Sequence, residues 1–128
     1  MKLNVQLVGR CYGPFSFTAS QDSILMFNRA VDAPDNRAHP AYAACFNQKP
    51  FSVALRDPEL NLDFSRLLHA GQRFEFFSVI GPGSQIVTDG RIENIYAKGD
   101  LEFVVVASES RSPDGVVLLR GLYTGVVK

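Results

Sequence analysis

The sequence has no tryptophan, few histidines and cysteines, and no excess charge of either sign, because 13 basic residues balance 13 acidic ones. No basic run occurs, so the electropositive surface on which nucleic-acid binding depends is missing. No segment comes near the roughly 18 consecutive apolar residues of a membrane-spanning helix. The first residues, Met1 to Gln6, are too polar for the hydrophobic part of a secretory signal. We therefore expect a cytoplasmic protein with no nucleic-acid and no membrane partner.

Cysteine and histidine are too scarce for a metal centre or a disulfide framework. Cys11 and Cys45 belong to no CxxC motif and to no His/Cys cluster, whereas a metal site needs three or four converging ligands. Two cysteines do not mark a disulfide-stapled domain, so we expect free thiols. The glycines of residues 81–83 end a strand without opening a helix and lack the lysine of a phosphate-binding loop. We therefore expect no metal.

The second half of the chain, from Leu68 to Lys128, has the pattern of four consecutive antiparallel strands. Apolar and charged residues alternate between Ile86 and Glu93, as in a strand with one face buried and the other exposed to solvent. Residues 101–107 are apolar on both faces, which places that strand in the middle of a sheet. Gly121 and Gly125 predict bulges or bends in the last strand. Turn sequences separate the strands at residues 81–84, 97–100 and 112–115.

The first half predicts a short strand and two helices. Phe15 to Thr18 alternates as a strand, and Ser20 is a helix N-cap with Ile24, Phe27 and Val31 on one buried face. This helix ends by Pro34. A polar irregular segment over residues 32–48 follows, and then an apolar, buried helix that begins at Lys49 with Pro50 near its first position. Residues 51–68 fit either one kinked helix or two short pieces.

The order of these elements predicts a single α+β domain, because 128 residues are an ordinary size for one domain. A strongly curled antiparallel sheet wrapped around the central apolar helix buries both faces of that helix. The long strands also leave an unpaired sheet edge, and pairing with a second chain would remove it.

Three short motifs, in this order of elements, resemble the MaoC-like dehydratases, and most closely the N-terminal type of that hot-dog family. The motifs are Leu68–Phe76, the turn Ile80–Ser84, and Asp114-Gly115 before the last strand. The resemblance covers Gly13 to Lys128 and implies a single hot-dog domain over residues 1–128, with residues 1–12 as an N-terminal extension. It implies (R)-specific hydration of trans-2-enoyl thioesters of coenzyme A or acyl carrier protein, or the reverse dehydration of 3-hydroxyacyl thioesters, without a metal or redox cofactor. It also implies a homodimer, or a heterodimer with a second hot-dog chain.

The same resemblance implies a catalytic Asp and His on the polar segment between the two helices. His39 is the histidine and Asp32 the carboxylate, with Asp35 as the alternative, because both groups need only hydrogen-bond reach to one water. Asn36 keeps the family's spacing to the histidine, while Arg37 replaces a family proline. The alternatives are an exposed loop histidine beside a proline, and ordinary turn residues for the two aspartates.

The second catalytic feature that the resemblance implies is a backbone N–H at the start of the buried helix, which polarises the thioester carbonyl. Catalytic members usually have His-Gly there, whereas Lys49–Ser52 is similar to the proline-rich version in non-catalytic halves of double hot-dog enzymes. Pro50 has no N–H, so Phe51 or Ser52 is the expected donor. His69 matches a family position at the start of the first core strand and joins the substrate-binding residues, although a structural hydrogen bond is the expectation there.

Three functions remain open from the sequence. The first is the hydratase or dehydratase described above. The second is a non-catalytic hot-dog subunit that forms the acyl-binding pocket beside a catalytic partner. The third is a hot-dog acyl thioesterase, which would need a carboxylate on the buried helix, and Phe51 to Leu55 supplies none. In each case four phenylalanines are expected in the core and along the acyl tunnel, namely Phe74, Phe76, Phe77 and Phe103.

Overall fold

The structure is a computed structural model that describes residues 1–34 and 38–128. One antiparallel sheet has the strand order β1-β3-β4-β5-β2. The described helices are α1 (Gln21–Ala30), α2 (Ala44–Asn47) and α3 (Lys49–Leu55). None of the helices in this part of the chain is long and apolar enough to cross a membrane. The strands are β1 (Cys11–Ala19), β2 (Leu67–Phe76), β3 (Ser84–Lys98), β4 (Leu101–Arg111) and β5 (Val117–Val127).

The four strands predicted in the second half are confirmed. Strand β4 pairs with β3 on one side and with β5 on the other, so the doubly apolar strand lies in the middle of the sheet. Strand β3 buries alternate residues from Ile86 to Ile92, while Val87, Asp89 and Arg91 between them face outward. Turns at the predicted positions join these strands, because their glycines accept the positive φ that the chain reversal requires.

Helix α1 begins as the sequence predicts. The Ser20 side chain accepts a hydrogen bond from the Ser23 N–H, and Ile24 is buried. Val31, expected on the buried face, is instead exposed, because the helix ends at Ala30 and Val31 is the C-cap. The polar residue Asn28 is buried near the end of the helix, with none of its surface exposed.

Helix α3 packs against the concave face of the sheet and buries Phe51, Ala54 and Leu55. At Gly121 no bulge is found, since β5 pairs there in regular register with both β4 and β2. At Gly125 the β2–β5 pairing has a register shift, between His69 and Gly71, as the predicted irregularity requires. A Cβ on Gly121 would lie 2.0 Å from Oδ1 of Asn47. Because Gly121 has no side chain, the α2–α3 junction packs close to the sheet. A close approach of this kind is, besides a bulge, the common reason for a glycine in a strand.

Residues 1–12 are packed onto the domain. Leu3 and Leu7 are buried in the same core as α3, and Cys11 and Tyr12 already belong to β1. The Glu102 carboxylate accepts hydrogen bonds from the backbone N–H groups of Lys2 and Leu3 at 2.8 and 2.9 Å. Two 3₁₀ turns, Pro58–Leu60 and Phe64–Arg66, follow α3, so residues 51–68 form separate short pieces.

Candidate active site

The segment between α1 and α2 carries the predicted catalytic residues, and Asn28 holds both of its ends. The side-chain Nδ2 of Asn28 donates to the Pro34 carbonyl at 3.0 Å, and its Oδ1 accepts from the His39 N–H at 3.1 Å. The Asn28 carbonyl accepts from the Ala33 N–H at 2.7 Å. One buried residue thus fixes the backbone before and after the part of the segment that lies outside the described residues.

His39 is half-buried and caps the 3₁₀ turn Pro40–Ala43. Its ring Nδ1 accepts a hydrogen bond from the Ala41 N–H at 3.1 Å. Because an accepting Nδ1 carries no proton, the neutral ring bears its proton on Nε2. The ring of Phe27 lies against the imidazole, with ring centroids 6.3 Å apart. The nitrogen that remains for a bound molecule is therefore the donor Nε2–H.

Asp32 follows α1 and is exposed. Its backbone adopts a positive φ of 56°, and its N–H donates to the Arg29 carbonyl at 3.2 Å. No hydrogen bond or ion pair to its carboxylate is formed within residues 1–34 and 38–128. The carboxylate is thus free to meet water or a substrate. The predicted residues Asp35, Asn36 and Arg37 lie outside the described residues.

A cavity of about 270 Å³ opens beside His39, between the segment that joins α1 to α2 (the overhanging segment) and the end of β2. Tyr42 is the second polar group on this wall, and its hydroxyl lies 2.6 Å from Oγ of Ser23. Burial raises the pKa of Tyr42, so its phenol stays protonated at neutral pH. The remaining wall is mostly apolar, and the cavity is lined by Ala38, His39, Pro40, Tyr42, Ala43, Phe76, Ser78, Val79 and Ile80.

The structure distinguishes the two backbone donors predicted at the start of α3. Pro50 occupies the second helical position and has no N–H, and the N-cap Gln48 makes no side-chain capping bond. The Ser52 N–H donates to the Gln48 carbonyl at 3.1 Å and is therefore engaged in the helix. Phe51, at the third helical position, carries the N–H that a cap would normally bind.

His69 lies with Phe51 and apart from the cavity that His39 lines. The two rings have centroids 5.7 Å apart, and Nε2 of His69 lies 2.9 Å from the carbonyl oxygen of Gly71. The structure therefore separates the predicted residues into two groups. His39 lies on the cavity wall, whereas Phe51 and His69 contact each other beneath α3.

A larger concavity of about 590 Å³ lies on the opposite, outer face of the sheet. Its charged side chains are largely paired with one another. The Arg91 guanidinium binds the Glu93 carboxylate at 2.9 Å, and Arg120 binds Glu109 at 3.1 Å. Asp89 is paired with Arg111, which lies beside the concavity, through two hydrogen bonds of 2.9 and 3.1 Å. We assign the site to the smaller cavity, because an apolar wall with one imidazole suits an apolar reacting group and an ion-paired surface does not.

Sequence reasoning missed several residues of this site, including Asn28, Tyr42 and the wall contributed by residues 76–80. Asn28 carried a usable signal, because an asparagine among Ile24 and Phe27 on a buried helix face must find hydrogen-bond partners. Phe76 was expected in the tunnel and lines the cavity, but Phe77 is 51% exposed and lies under the Arg120 guanidinium. No three potential metal-ligating side chains come together anywhere in the described sequence.

Comparison with known proteins agrees with this architecture. The family model of the FAS1-like dehydratase domain region matches residues 6–120. A UPF0336 protein of Saccharopolyspora erythraea is 30% identical over 87 residues, which are 68% of this chain and 56% of that protein. The chain therefore spans little more than half the length of that relative.

Two solved structures share the fold at low sequence identity. The HadBC (3R-hydroxyacyl-ACP dehydratase) complex of Mycobacterium tuberculosis superposes with a TM-score of 0.71 at 16% identity, covering 91% of this chain and 94% of that one. The MaoC-like dehydratase of Phytophthora capsici superposes with a TM-score of 0.82 at 15% identity, covering 98% of this chain and 50% of that one. The fold is thus the α+β hot-dog fold, and the resemblance to MaoC-like dehydratases is confirmed. The chain belongs to the FAS1-like dehydratase domain family.

Proposed function

We propose that this chain takes part in the (R)-specific hydration of trans-2-enoyl thioesters of coenzyme A or acyl carrier protein, or in the reverse dehydration. The observation that carries the proposal is the apolar cavity of about 270 Å³ with His39 on its wall. An apolar wall with few polar groups suits an acyl chain, and an imidazole on that wall can hydrogen-bond a water molecule. The family, and the (3R)-hydroxyacyl-ACP dehydratase that shares the fold, support the same reaction class.

The reaction moves one water molecule and needs no metal or redox cofactor. In hydration the water oxygen bonds to C3 of the enoyl group and gives one proton to a carboxylate, which we assign to Asp32 or to the alternative Asp35. The His39 Nε2–H donates a hydrogen bond to the same oxygen and holds it over C3. The carboxylic acid then delivers its proton to C2 as the double bond becomes single. The carboxylate is thereby restored.

The thioester carbonyl gains negative charge during this step and needs a hydrogen-bond donor. We assign the Phe51 N–H, because Pro50 has none and the Ser52 N–H is engaged with Gln48. This assignment requires the thioester to extend from the cavity beside His39 to the start of α3, since residues 49–52 do not line that cavity. A backbone donor that is fixed before the reaction stabilises the developing oxyanion without reorganisation.

A second hot-dog chain completes the proposed site. Strand β2 is an edge of the sheet, so one side of its backbone has no strand partner within the described chain. Leu68, Phe76, Phe77 and Val79 are 61%, 43%, 51% and 63% exposed along and beyond this edge. Phe76 and Val79 also line the cavity, so a partner that covers them closes it. We propose a homodimer or a heterodimer formed through this edge.

A non-catalytic role beside a catalytic partner is the second candidate, and three observations favour it. Nδ1 of His39 is occupied by the capping bond from Ala41. Asp32 has no side-chain partner that aims it at the cavity within the described residues. Pro50, near the start of α3, has no backbone N–H to donate to the thioester carbonyl. In that case the chain would shape the acyl pocket while the partner supplies the acid and the base.

Hydration of crotonyl-CoA and of longer enoyl-CoAs, by this chain alone and with a second hot-dog chain, tests both candidates. The informative variant is His39→Asn, because asparagine keeps the N-cap function but lacks the Nε2–H that holds the water over C3. We expect it to lower kcat by about 100-fold, the cost of misplacing a reacting group. His69→Ala is the matched control and should lose less, since Nε2 of His69 already lies within hydrogen-bonding distance of the Gly71 carbonyl.

Three outcomes separate the candidates. Activity of the chain, lost in His39→Asn, supports the enzyme. Activity that appears only with a partner and is unchanged in His39→Asn supports the non-catalytic subunit. No hydration with any hot-dog partner would overturn both.

A further inference from the structure

Asn28 is a buried polar residue beside the overhanging segment, and both ends of its side chain are hydrogen-bonded. It lies on the buried face of α1 with no exposed surface, and its side chain spans the gap between the Pro34 carbonyl and the His39 N–H. Both ends of a buried amide must be satisfied, because an unpaired buried donor or acceptor is costly. Only one orientation of the amide satisfies both contacts at once.

Helix α1 holds the other side of the same segment as well. The Tyr42 hydroxyl lies 2.6 Å from Ser23 Oγ, and the Phe27 ring contacts the Tyr42 ring edge-on with centroids 5.6 Å apart. Ser23 and Phe27 are four residues apart and share one face of the helix, and the buried Asn28 follows Phe27 directly. Together these three residues contact His39 through its backbone and its ring, and Tyr42 through its hydroxyl and its ring.

We infer that Asn28 is a positioning residue for His39, one that fixes the imidazole against the cavity through the backbone of the segment. The inference rests on the proposed function, because it gives His39 the role described there. The His39 N–H bond sets the backbone at the N-cap of the Pro40–Ala43 turn. With that backbone fixed, Nδ1 receives the Ala41 N–H and Nε2–H is the nitrogen left for water.

Asn47 provides a matched control for this inference. It is also fully buried, and both ends of its side chain are also used, since Oδ1 accepts from the Tyr123 hydroxyl at 2.6 Å and Nδ2 donates to Ser110 at 2.9 Å. None of these contacts reaches the overhanging segment. Replacing Asn28 or Asn47 therefore removes at least two side-chain hydrogen bonds of a fully buried asparagine, and of these four bonds only one of Asn28's reaches His39.

The experiment compares Asn28→Ala, Asn28→Asp and Asn47→Ala by thermal unfolding, by amide hydrogen exchange of Ala41 and by the kcat and KM of enoyl-CoA hydration. The Ala41 N–H reports the bond to His39 Nδ1 directly. We expect Asn28→Ala to accelerate Ala41 exchange at least tenfold and to lower kcat at least tenfold, with KM changed less than threefold. Asn28→Asp keeps an acceptor for the His39 N–H and should retain more Ala41 protection than Asn28→Ala.

The control decides between positioning and a merely structural role. Asn47→Ala should lower the unfolding temperature about as much as Asn28→Ala and leave Ala41 exchange within twofold of the unmodified protein. Equal loss of Ala41 protection in both variants, or unchanged protection in Asn28→Ala, would overturn the inference. If no hydration is found with any partner, the proposed function fails, and the exchange measurement still decides whether Asn28 holds His39.

Discussion

Two serines on β4 give the sharpest test of the buried polar network beneath the α2–α3 junction. Ser110 and Ser108 are both buried on the same face of the strand, two residues apart. Ser110 Oγ accepts from Asn47 Nδ2 at 2.9 Å and lies 2.7 Å from the Thr88 hydroxyl. Ser108 Oγ has no hydrogen-bond partner among the residues described. Replacing each serine by alanine removes the same hydroxyl oxygen, which is hydrogen-bonded in Ser110 and has no partner in Ser108 among the residues described.

The expected effects differ in sign. Ser110→Ala leaves the Asn47 Nδ2 and the Thr88 hydroxyl buried without that partner, and each unmet group costs about 1–3 kcal/mol. We expect the free energy of unfolding to fall by about 2–4 kcal/mol. Ser108→Ala removes a hydroxyl that makes no bond, so the free energy of unfolding should stay the same or rise by up to about 1–2 kcal/mol.

Urea unfolding of the three proteins, followed by circular dichroism at fixed protein concentration, measures both changes. A fixed concentration is needed because association with a second chain would add to the apparent stability. For a domain of this size, about 1 kcal/mol corresponds to roughly 3–5 °C in melting temperature. Equal destabilisation by the two substitutions would refute the reasoning, because packing alone would then explain both.

Two further predictions concern the same core and the N-terminal segment. Gly121→Ala should lower the free energy of unfolding by about 2–3 kcal/mol, because its Cβ would collide with Asn47 Oδ1, whereas Gly81→Ala meets nothing within 4 Å and should have little effect on the melting temperature. Burial raises the pKa of Asp57, but hydrogen bonds from Tyr12, the Glu59 N–H and Arg10 outweigh it and hold the pKa below its usual value. This carboxylate therefore stabilises the fold above about pH 4, and the stabilisation is lost as pH falls further, so acid titration should unfold the natural protein more steeply than Asp57→Asn.

The centre of the sheet could be predicted from the sequence because its determinants are local. Alternation along residues 86–93, the doubly apolar run at 101–107 and the turns at 97–100 and 112–115 each act over a few residues, and together they specify the β3–β4 and β4–β5 hairpins. The Ser20 N-cap is equally local and begins α1 where expected. The pairing of β2 with β5 and of β1 with β3 joins distant residues and has no such local signal.

The parts that could not be predicted depend on contacts between distant residues. Leu3 and Leu7 are isolated apolar residues in a polar stretch, and only their contact with the core shows that residues 1–12 belong to it. Gly121 fits a bulge or a close approach equally well until Asn47, 74 positions away, is seen above it. The partners of Asn28 lie across a segment whose conformation the sequence does not specify.

The most direct test of the central proposal asks where an acyl thioester binds. Titration of methyl-labelled protein with 3-hydroxybutyryl-CoA, followed by NMR, separates the two concavities, because Ala38, Ala43 and Ile80 line the cavity beside His39 whereas Ala107 and Leu122 line the outer face. We predict saturable shifts of the first three methyl-bearing residues, with Ala107 and Leu122 unmoved. Shifts confined to Ala107 and Leu122 would contradict the assignment of the acyl site to the cavity beside His39.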